Sequence, residues 1–211
     1  LIGYAGGGNQ YMVETLLRCK TDVNCRSFFT PPLVAAASSR EDGCKKIVQV
    51  LLDKKADVNY PDGYGITPLY GASRSGMLEN VKMLLRHKAN VDQACNWGSN
   101  PLLVSTDRGG HNSRAILAEL VQYKADPNAS SWQDNTPLYN VSVVGDINGV
   151  RLLLKQKANV NQTRQRDKRT PLHGAIFHGR KDIVRMLLNA GADQHSVITN
   201  GAIDVNCMNN K

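Results

Sequence analysis

Ala5–Gln10 reads AGGGNQ, a glycine-rich run whose backbone amides could cradle phosphate. No Lys-Ser or Lys-Thr follows it, so the residues that would reach the phosphates and hold magnesium are missing. A turn between two helices is the better expectation. The histidines are His87, His111, His173, His178 and His195. They form no HxxxH pair, and no carboxylate stands at ligand spacing. The cysteines Cys19, Cys25, Cys44, Cys95 and Cys207 include no CxxC pair, so neither a zinc site nor a dithiol redox site is read. An odd, scattered set suits a reducing compartment better than a disulfide framework. No catalytic set, metal or cofactor is expected. What remains is charge. Thr163–Pro171, TRQRDKRTP, holds four cations and one acid, and the whole chain has 26 Lys+Arg against 18 Asp+Glu, a net charge of +8. Such an excess favours anionic partners without choosing among nucleic acid, acidic protein and membrane surface. No apolar run approaches the roughly 20 residues that cross a bilayer.

The elements that must position these residues emerge when the chain is slid against itself. ITPLYGASRSG begins at Ile66, NTPLYNVSVVG at Asn135 and RTPLHGAIFHG at Arg169, with weaker copies TPPLVAAASS at Thr30 and SNPLLVSTDRG at Ser99. Their leucines fall at Leu33, Leu69, Leu102, Leu138 and Leu172, in steps of 36, 33, 36 and 34 residues. A second phrase follows each copy: VLLDKKADVN, MLLRHKANVD, ELVQYKADPN, LLLKQKANVN and MLLNAGADQH. A sixth, TLLRCKTDVN, stands at residues 15–24 without a preceding TP, so the chain is expected to open inside a repeat as a piece of a longer one. Thr67, Thr136 and Thr170 are suited to cap a helix whose first residue is Pro68, Pro137 or Pro171, where no N–H is needed. A glycine turn at Gly76, Gly145 or Gly179 leads to a second helix with apolar residues at helical spacing, as in Val81, Leu84 and Leu85. Cys19 and Cys44 fall on second helices and are expected as small buried hydrophobes. One such pair cannot bury its apolar face, whereas stacked pairs can, which predicts a solenoid.

Five TPLH-like phrases, each coupled to an LL-x-x-x-A-D/N phrase, resemble the ankyrin repeat family over about residues 1–200. The resemblance implies an all-α repeat solenoid of about six stacked ankyrin repeats, each a helix-turn-helix plus a hairpin loop. The expected division is 1–29, 30–65, 66–98, 99–134, 135–168 and 169–201, with 202–211 a partial repeat or frayed end. His173 holds the family's TPLH histidine position, with a structural role, and Tyr70 and Tyr139 replace it elsewhere. Asn24, Asn59, Asn128 and Asn161 match the hairpin asparagine, which in the family organises the hairpin and can be an asparaginyl hydroxylase target. Two departures stand out. Where the family places glycine at the end of the second helix, only Gly191 does so; Lys20, Lys55, Lys88, Lys124 and Lys157 take the other sites. A surface habit of this lineage and a basic ridge along one edge both fit. Three extra residues also separate the helices around Arg40–Asp42 and Gly109–His111, which predicts longer turns.

The resemblance also implies where a partner would bind, on the concave surface made by hairpin tips and the exposed edge of the first helices. Phe28, Tyr64, Trp97 and Trp132 fall on hairpins and Phe177 near the end of a first helix. With Ile66, Arg74, Arg108, His178 and the basic hairpin residues Arg164, Arg166 and Arg169, they form the expected partner-binding set. Exposed large rings usually mark an interface, and Trp, Tyr and Arg are enriched in hot spots. The expected function is non-catalytic protein–protein interaction with a protein or peptide that has apolar anchors and an acidic flank. A monomer is expected, inside the cell in cytoplasm or nucleus. The alternatives are nucleic-acid binding, disfavoured because the lysines spread over every repeat, and a substrate-docking fragment of a larger enzyme or ligase.

Overall fold

The computed structural model describes residues 1–25, 30–107, 112–132, 135–164 and 166–194, and among them finds twelve helices and no strand. They come in pairs. The first helices are α1 (Ile2–Gly6), α3 (Pro32–Ser38), α5 (Pro68–Ser75), α7 (Pro101–Thr106), α9 (Pro137–Val144) and α11 (Pro171–Phe177). The second helices are α2 (Gln10–Arg18), α4 (Cys44–Asp53), α6 (Leu78–Arg86), α8 (Ser113–Gln122), α10 (Ile147–Lys155) and α12 (Lys181–Asn189). First helices stack on first helices and second on second along the whole series, so the molecule is an all-α repeat solenoid.

The local chemistry explains each start. Thr67 Oγ1 accepts the Tyr70 N–H at 3.1 Å, Asn100 Oδ1 the Leu103 N–H at 2.9 Å and Thr136 Oγ1 the Tyr139 N–H at 3.1 Å. Asparagine thus substitutes for threonine as the cap of the SNPLL copy. At α11 the cap is reciprocal: Thr170 Oγ1 accepts the His173 N–H while His173 Nδ1 accepts the Thr170 N–H at 3.1 Å. His173 is therefore structural, and it is buried. The leucine of every TPL phrase is 2% exposed or less, at Leu33, Leu69, Leu102, Leu138 and Leu172. Each such side chain stabilises the stack by roughly 1.5–3 kcal/mol relative to exposure. Ile47, Leu51, Leu84, Ile116, Leu120, Leu153, Ile183 and Leu187 fill the layer between second helices.

AGGGNQ is the turn from α1 to α2, and its glycines answer a packing need. A Cβ on Gly8 would meet the Asp42 carbonyl oxygen, and one on Gly43 would lie 2.7 Å from the Gly8 carbonyl oxygen. The longer turn around Arg40–Asp42 packs backbone against backbone on this run, and Arg40 Nε donates to the Ser75 carbonyl at 3.2 Å. The second expected insertion, Gly109–His111, lies outside the described residues. Cys44 is buried, with its thiol 3.5 Å from the Ala5 carbonyl. Cys19 corrects the expectation: it is exposed, because α2 ends at Arg18 and Cys19 occupies the turn beyond the stack.

Adjacent repeats are also tied by a ladder. Asn24 Oδ1 accepts the Asp57 N–H at 3.0 Å, Asn59 the Asn90 N–H at 2.7 Å, Asp92 the Asp126 N–H at 3.0 Å, Asn128 the Asn159 N–H at 2.7 Å and Asn161 the Asp193 N–H at 2.8 Å. Within each turn the side-chain oxygen of the residue two before accepts the N–H, as Asp57 Oδ1 accepts the Asn59 N–H at 2.9 Å. The hairpin asparagines thus bond the next repeat's backbone as well as ordering their own loop. Removing Asn59 with alanine leaves the Asn90 N–H without this acceptor, at a cost of about 1 kcal/mol. Urea unfolding should show a lower midpoint and a broader transition, since the coupling between neighbouring repeats is what weakens.

Lys20, Lys55, Lys88, Lys124 and Lys157 adopt φ of 58°, 60°, 64°, 63° and 62°, as the missing glycines predict, and Gly191 has φ 87°. A lysine there costs roughly 1 kcal/mol relative to glycine. Replacing Lys55, Lys88 or Lys124 by glycine should therefore raise the urea midpoint; a fall would mean that the lysine stem contributes packing the backbone strain does not reveal.

Candidate functional site

The hairpins between repeats are built to present rings. In the loop before α5, Asp62 Oδ1 accepts the N–H of Tyr64 at 2.8 Å and of Ile66 at 2.9 Å. The next hairpin closes with the Cys95 N–H on the Ser99 carbonyl and the Gly98 N–H on the Cys95 carbonyl, both at 2.9 Å. Neighbouring tips are pinned sideways: the Asn96 N–H donates to the Tyr64 carbonyl at 2.9 Å and the Trp132 N–H to the Trp97 carbonyl at 3.1 Å. This brings the Tyr64 and Trp97 ring centroids to 6.2 Å, tilted by 48°. Gly98, at φ 77°, lies beneath Trp132, and a Cβ there would come within 3.0 Å of the indole Cδ1. Trp132 is 77% exposed, Tyr64 54% and Trp97 37%.

Behind these rings lies an open cavity of about 410 Å³. Trp97 and Trp132 wall it, Tyr70, Leu103, Val104, Ser99, Asn135 and Asn140 line its depth, and Arg74 and Asp107 put opposite charges at its edge. Tyr70 is buried, which pushes its phenol above the usual range; hydrogen bonds with the Ser99 and Trp97 side chains partly offset this. Trp97 is the more enclosed of the two indoles, while Trp132 stays largely in solvent. The arrangement offers apolar faces, hydroxyl and amide partners and one charge of each sign, which suits recognition of a peptide or side chain.

A second cluster surrounds the basic hairpin. Arg164 is drawn in: its Nη1 donates to the Tyr139 hydroxyl at 3.0 Å, its guanidinium carbon sits 4.8 Å from the Tyr139 ring centroid, and Asp167 is 3.5 Å away. Its Nε is buried with no partner among the described residues. Arg169 pairs with Asp167 at 3.6 Å and lies 5.6 Å from the Phe177 ring centroid. Phe177, 64% exposed, meets His178 edge-on at 5.2 Å. Arg166 and Lys168 are exposed. Of the hairpin's four cations, Arg164 is therefore half-buried, Arg169 is exposed but shares Asp167 with it, and Arg166 and Lys168 stand outside that cluster.

Of the expected binding set, Trp97, Trp132 and Arg74 meet at the cavity, with Tyr64 beside them. Ile66 is half-buried at the base of its hairpin. Arg164, Arg166, Arg169, Phe177 and His178 form the separate cluster. Phe28 and Arg108 lie outside the described residues. The cavity floor was not anticipated as a binding surface. Its signal was the residue after TPL or NPL, here Tyr70 and Leu103; in the sequence Tyr70 stands only as a replacement for the structural histidine, and Leu103 has no assigned role. Among the described residues no group of three or more His, Cys, Asp or Glu could hold a metal ion, and no helix is long and apolar enough to cross a membrane.

The model of ankyrin repeats matches residues 1–95 and 102–197. The chain is 31% identical over 160 residues to ankyrin repeat and SOCS box protein 3 of Bos taurus, covering 72% of this chain and 29% of that protein. It is 34% identical over 95 residues to an ankyrin repeat protein of fowlpox virus, covering 44% of this chain and 16% of that one. With neurogenic locus notch homolog protein 1 of Homo sapiens it shares 29% identity over 140 residues, 66% of this chain and 5% of that protein. The chain thus spans under a third of each of these relatives. Together with the twelve stacked helices and the TPL phrases, the match over nearly the whole length means that the chain belongs to the ankyrin repeat family.

Proposed function

We propose that this chain is a non-catalytic interaction module that holds a protein or peptide segment on its concave face. Ankyrin repeats are generally protein-interaction modules, and the finer reading rests on one observation, the cavity walled by Trp97 and Trp132. A largely exposed Trp132, whose N–H is bonded to the Trp97 carbonyl, next to an indole packed against the Tyr64 ring supplies a large, amphipathic contact with little conformational freedom left to lose. In this reading each repeat of the expected division contributes one hairpin. The partner segment places apolar anchors against Tyr64, Trp97 and Trp132 and carries an acidic flank toward Arg166 and Arg169, near Phe177 and His178. The chain acts as a monomer inside the cell, in cytoplasm or nucleus. The Arg164 cluster then serves to stiffen the hairpin that presents the two outer cations.

A random-peptide display library panned against the chain tests this. The enriched sequences should share apolar or aromatic anchors followed by Asp or Glu. Trp97→Ala with Trp132→Ala should weaken a selected peptide by about 1–3 kcal/mol, roughly ten- to a hundredfold. Enrichment that survives the double substitution would place the binding surface elsewhere. Charge acts mainly on encounter. Arg166→Glu should therefore lower the association rate and its salt sensitivity while leaving dissociation nearly unchanged. Arg169→Glu should also alter dissociation, because it uncovers Phe177. Stopped-flow traces at two salt concentrations separate the two effects.

A further inference from the structure

The five left-handed lysines at the ends of second helices are part of a larger feature. Each closes a three-residue helix end: Arg18-Cys19-Lys20, Asp53-Lys54-Lys55, Arg86-His87-Lys88, Gln122-Tyr123-Lys124 and Lys155-Gln156-Lys157. All fifteen residues are exposed. Nine are Lys or Arg and one, Asp53, is acidic. Only Arg18 has an ion pair among the described residues, with Glu14 at 3.6 Å. None of the fifteen lines the cavity at Trp97 and Trp132.

The solenoid turns this repeated triplet into a row. Four of the lysines stand two residues before a ladder position (Lys55 before Asp57, Lys88 before Asn90, Lys124 before Asp126, Lys157 before Asn159) whose N–H is bonded to the preceding repeat, and Lys20 holds the same place in the first repeat. The lysine backbones are thereby held in register, one per repeat. With neighbouring helices about 10 Å apart, four steps make a track of about 40 Å. The sixth helix end, Asn189-Ala190-Gly191, carries no charge and has glycine at the left-handed site, so the track stops there.

In three of the five repeats helix dipoles do not account for the lysine. A cation in the last turn meets that need, and Arg18, Arg86 and Lys155 already do so. Yet the same three repeats place a second cation on the one backbone site where lysine is strained and glycine is not. Five uses of the costlier residue, all solvent-facing and none in an ion pair among the described residues, point to a ligand outside the chain.

We propose that this edge is a second binding surface, a cationic track for an extended acidic polypeptide segment, separate from the concave cavity. Nine cations over about 40 Å are one charge per 5 Å. An extended chain with Asp or Glu at alternate residues offers a carboxylate on one side about every 6.6 Å, and about twelve residues span the track. Lysines on flexible stems accommodate the difference. Single-stranded nucleic acid fits less well, because its binding surfaces add aromatic platforms and only Tyr123 and His87 carry rings among the fifteen. An anionic membrane fits less well too, since interfacial elements add a broad apolar face that these residues lack.

The test uses a fluorescein-labelled peptide of about fourteen residues alternating Glu and Ser, with anisotropy read at about 50 and 200 mM NaCl. The fivefold Lys20, Lys55, Lys88, Lys124 and Lys157→Gly variant removes five of the nine track cations while relieving backbone strain, so it should keep or raise the urea midpoint. A control variant, Lys45, Lys46, Arg151, Lys181 and Arg185→Gln, loses the same five charges off the track. The expected result is binding that weakens at least tenfold in the track variant and less than threefold in the control, with a similar fall at the higher salt. Equal losses in both variants would mean that net charge alone attracts the peptide and would overturn the proposal. So would no binding at the lower salt. Tighter capture of a dT14 oligonucleotide, or of vesicles rich in phosphatidylserine, through the same lysines would overturn it in favour of that polyanion. Because Trp97 and Trp132 are untouched, failure here leaves the concave-face reading intact.

Discussion

No helix pair in this chain can cover its own apolar face, and everything else depends on that. α5 and α6 leave Leu69, Val81 and Leu84 to be buried by the pairs on either side. The stack therefore exists only as a series, and its stability is a sum of weak repeats and strong interfaces. Small residues such as Ala36, Ala37 and Ala72 let first helices approach closely, while larger aliphatic side chains fill the layer between second helices. The ladder from Asn24 to Asp193 adds a directional bond at each junction, and it converts nonspecific burial into a fixed register.

Register is what creates a surface. A lone hairpin would offer Trp97 to solvent with no set orientation. Pinned by the Asn96 N–H to the Tyr64 carbonyl and followed by Trp132 on the Trp97 carbonyl, successive tips hold their rings side by side. The same stacking places Tyr70 and Trp97 on the lining of one cavity. The opposite effect operates at the basic hairpin, where Tyr139 of the preceding repeat draws Arg164 inward and Asp167 gathers two guanidinium groups. Stacking thus exposes some expected binding residues and withdraws others, by chemistry that acts between repeats.

Charge follows the same geometry. Lysines that look dispersed along 211 residues fall into one file once each repeat is laid beside the last. Dispersal over every repeat had counted against a polyanion surface; in a solenoid, regular dispersal is how a continuous surface is made. The glycine-rich turn shows the converse, since a run that suggests phosphate binding is consumed by backbone contact between Gly8, Asp42 and Gly43.

The sequence by itself determined the fold, the helix starts and the strained lysines. TPL phrases at a 33–36 residue spacing, threonine caps and the absent glycines are local rules, read within a few residues of one another. It also located the rings of Tyr64, Trp97 and Trp132 on hairpins. Tertiary structure alone decided which of these meet at a cavity, that Tyr70, Leu103 and Asn140 line it, and that Arg164, half-buried, bonds the Tyr139 hydroxyl. Those outcomes depend on groups about one repeat apart in the chain, brought together by stacking, and no local pattern encodes the side-chain bond that forms between them.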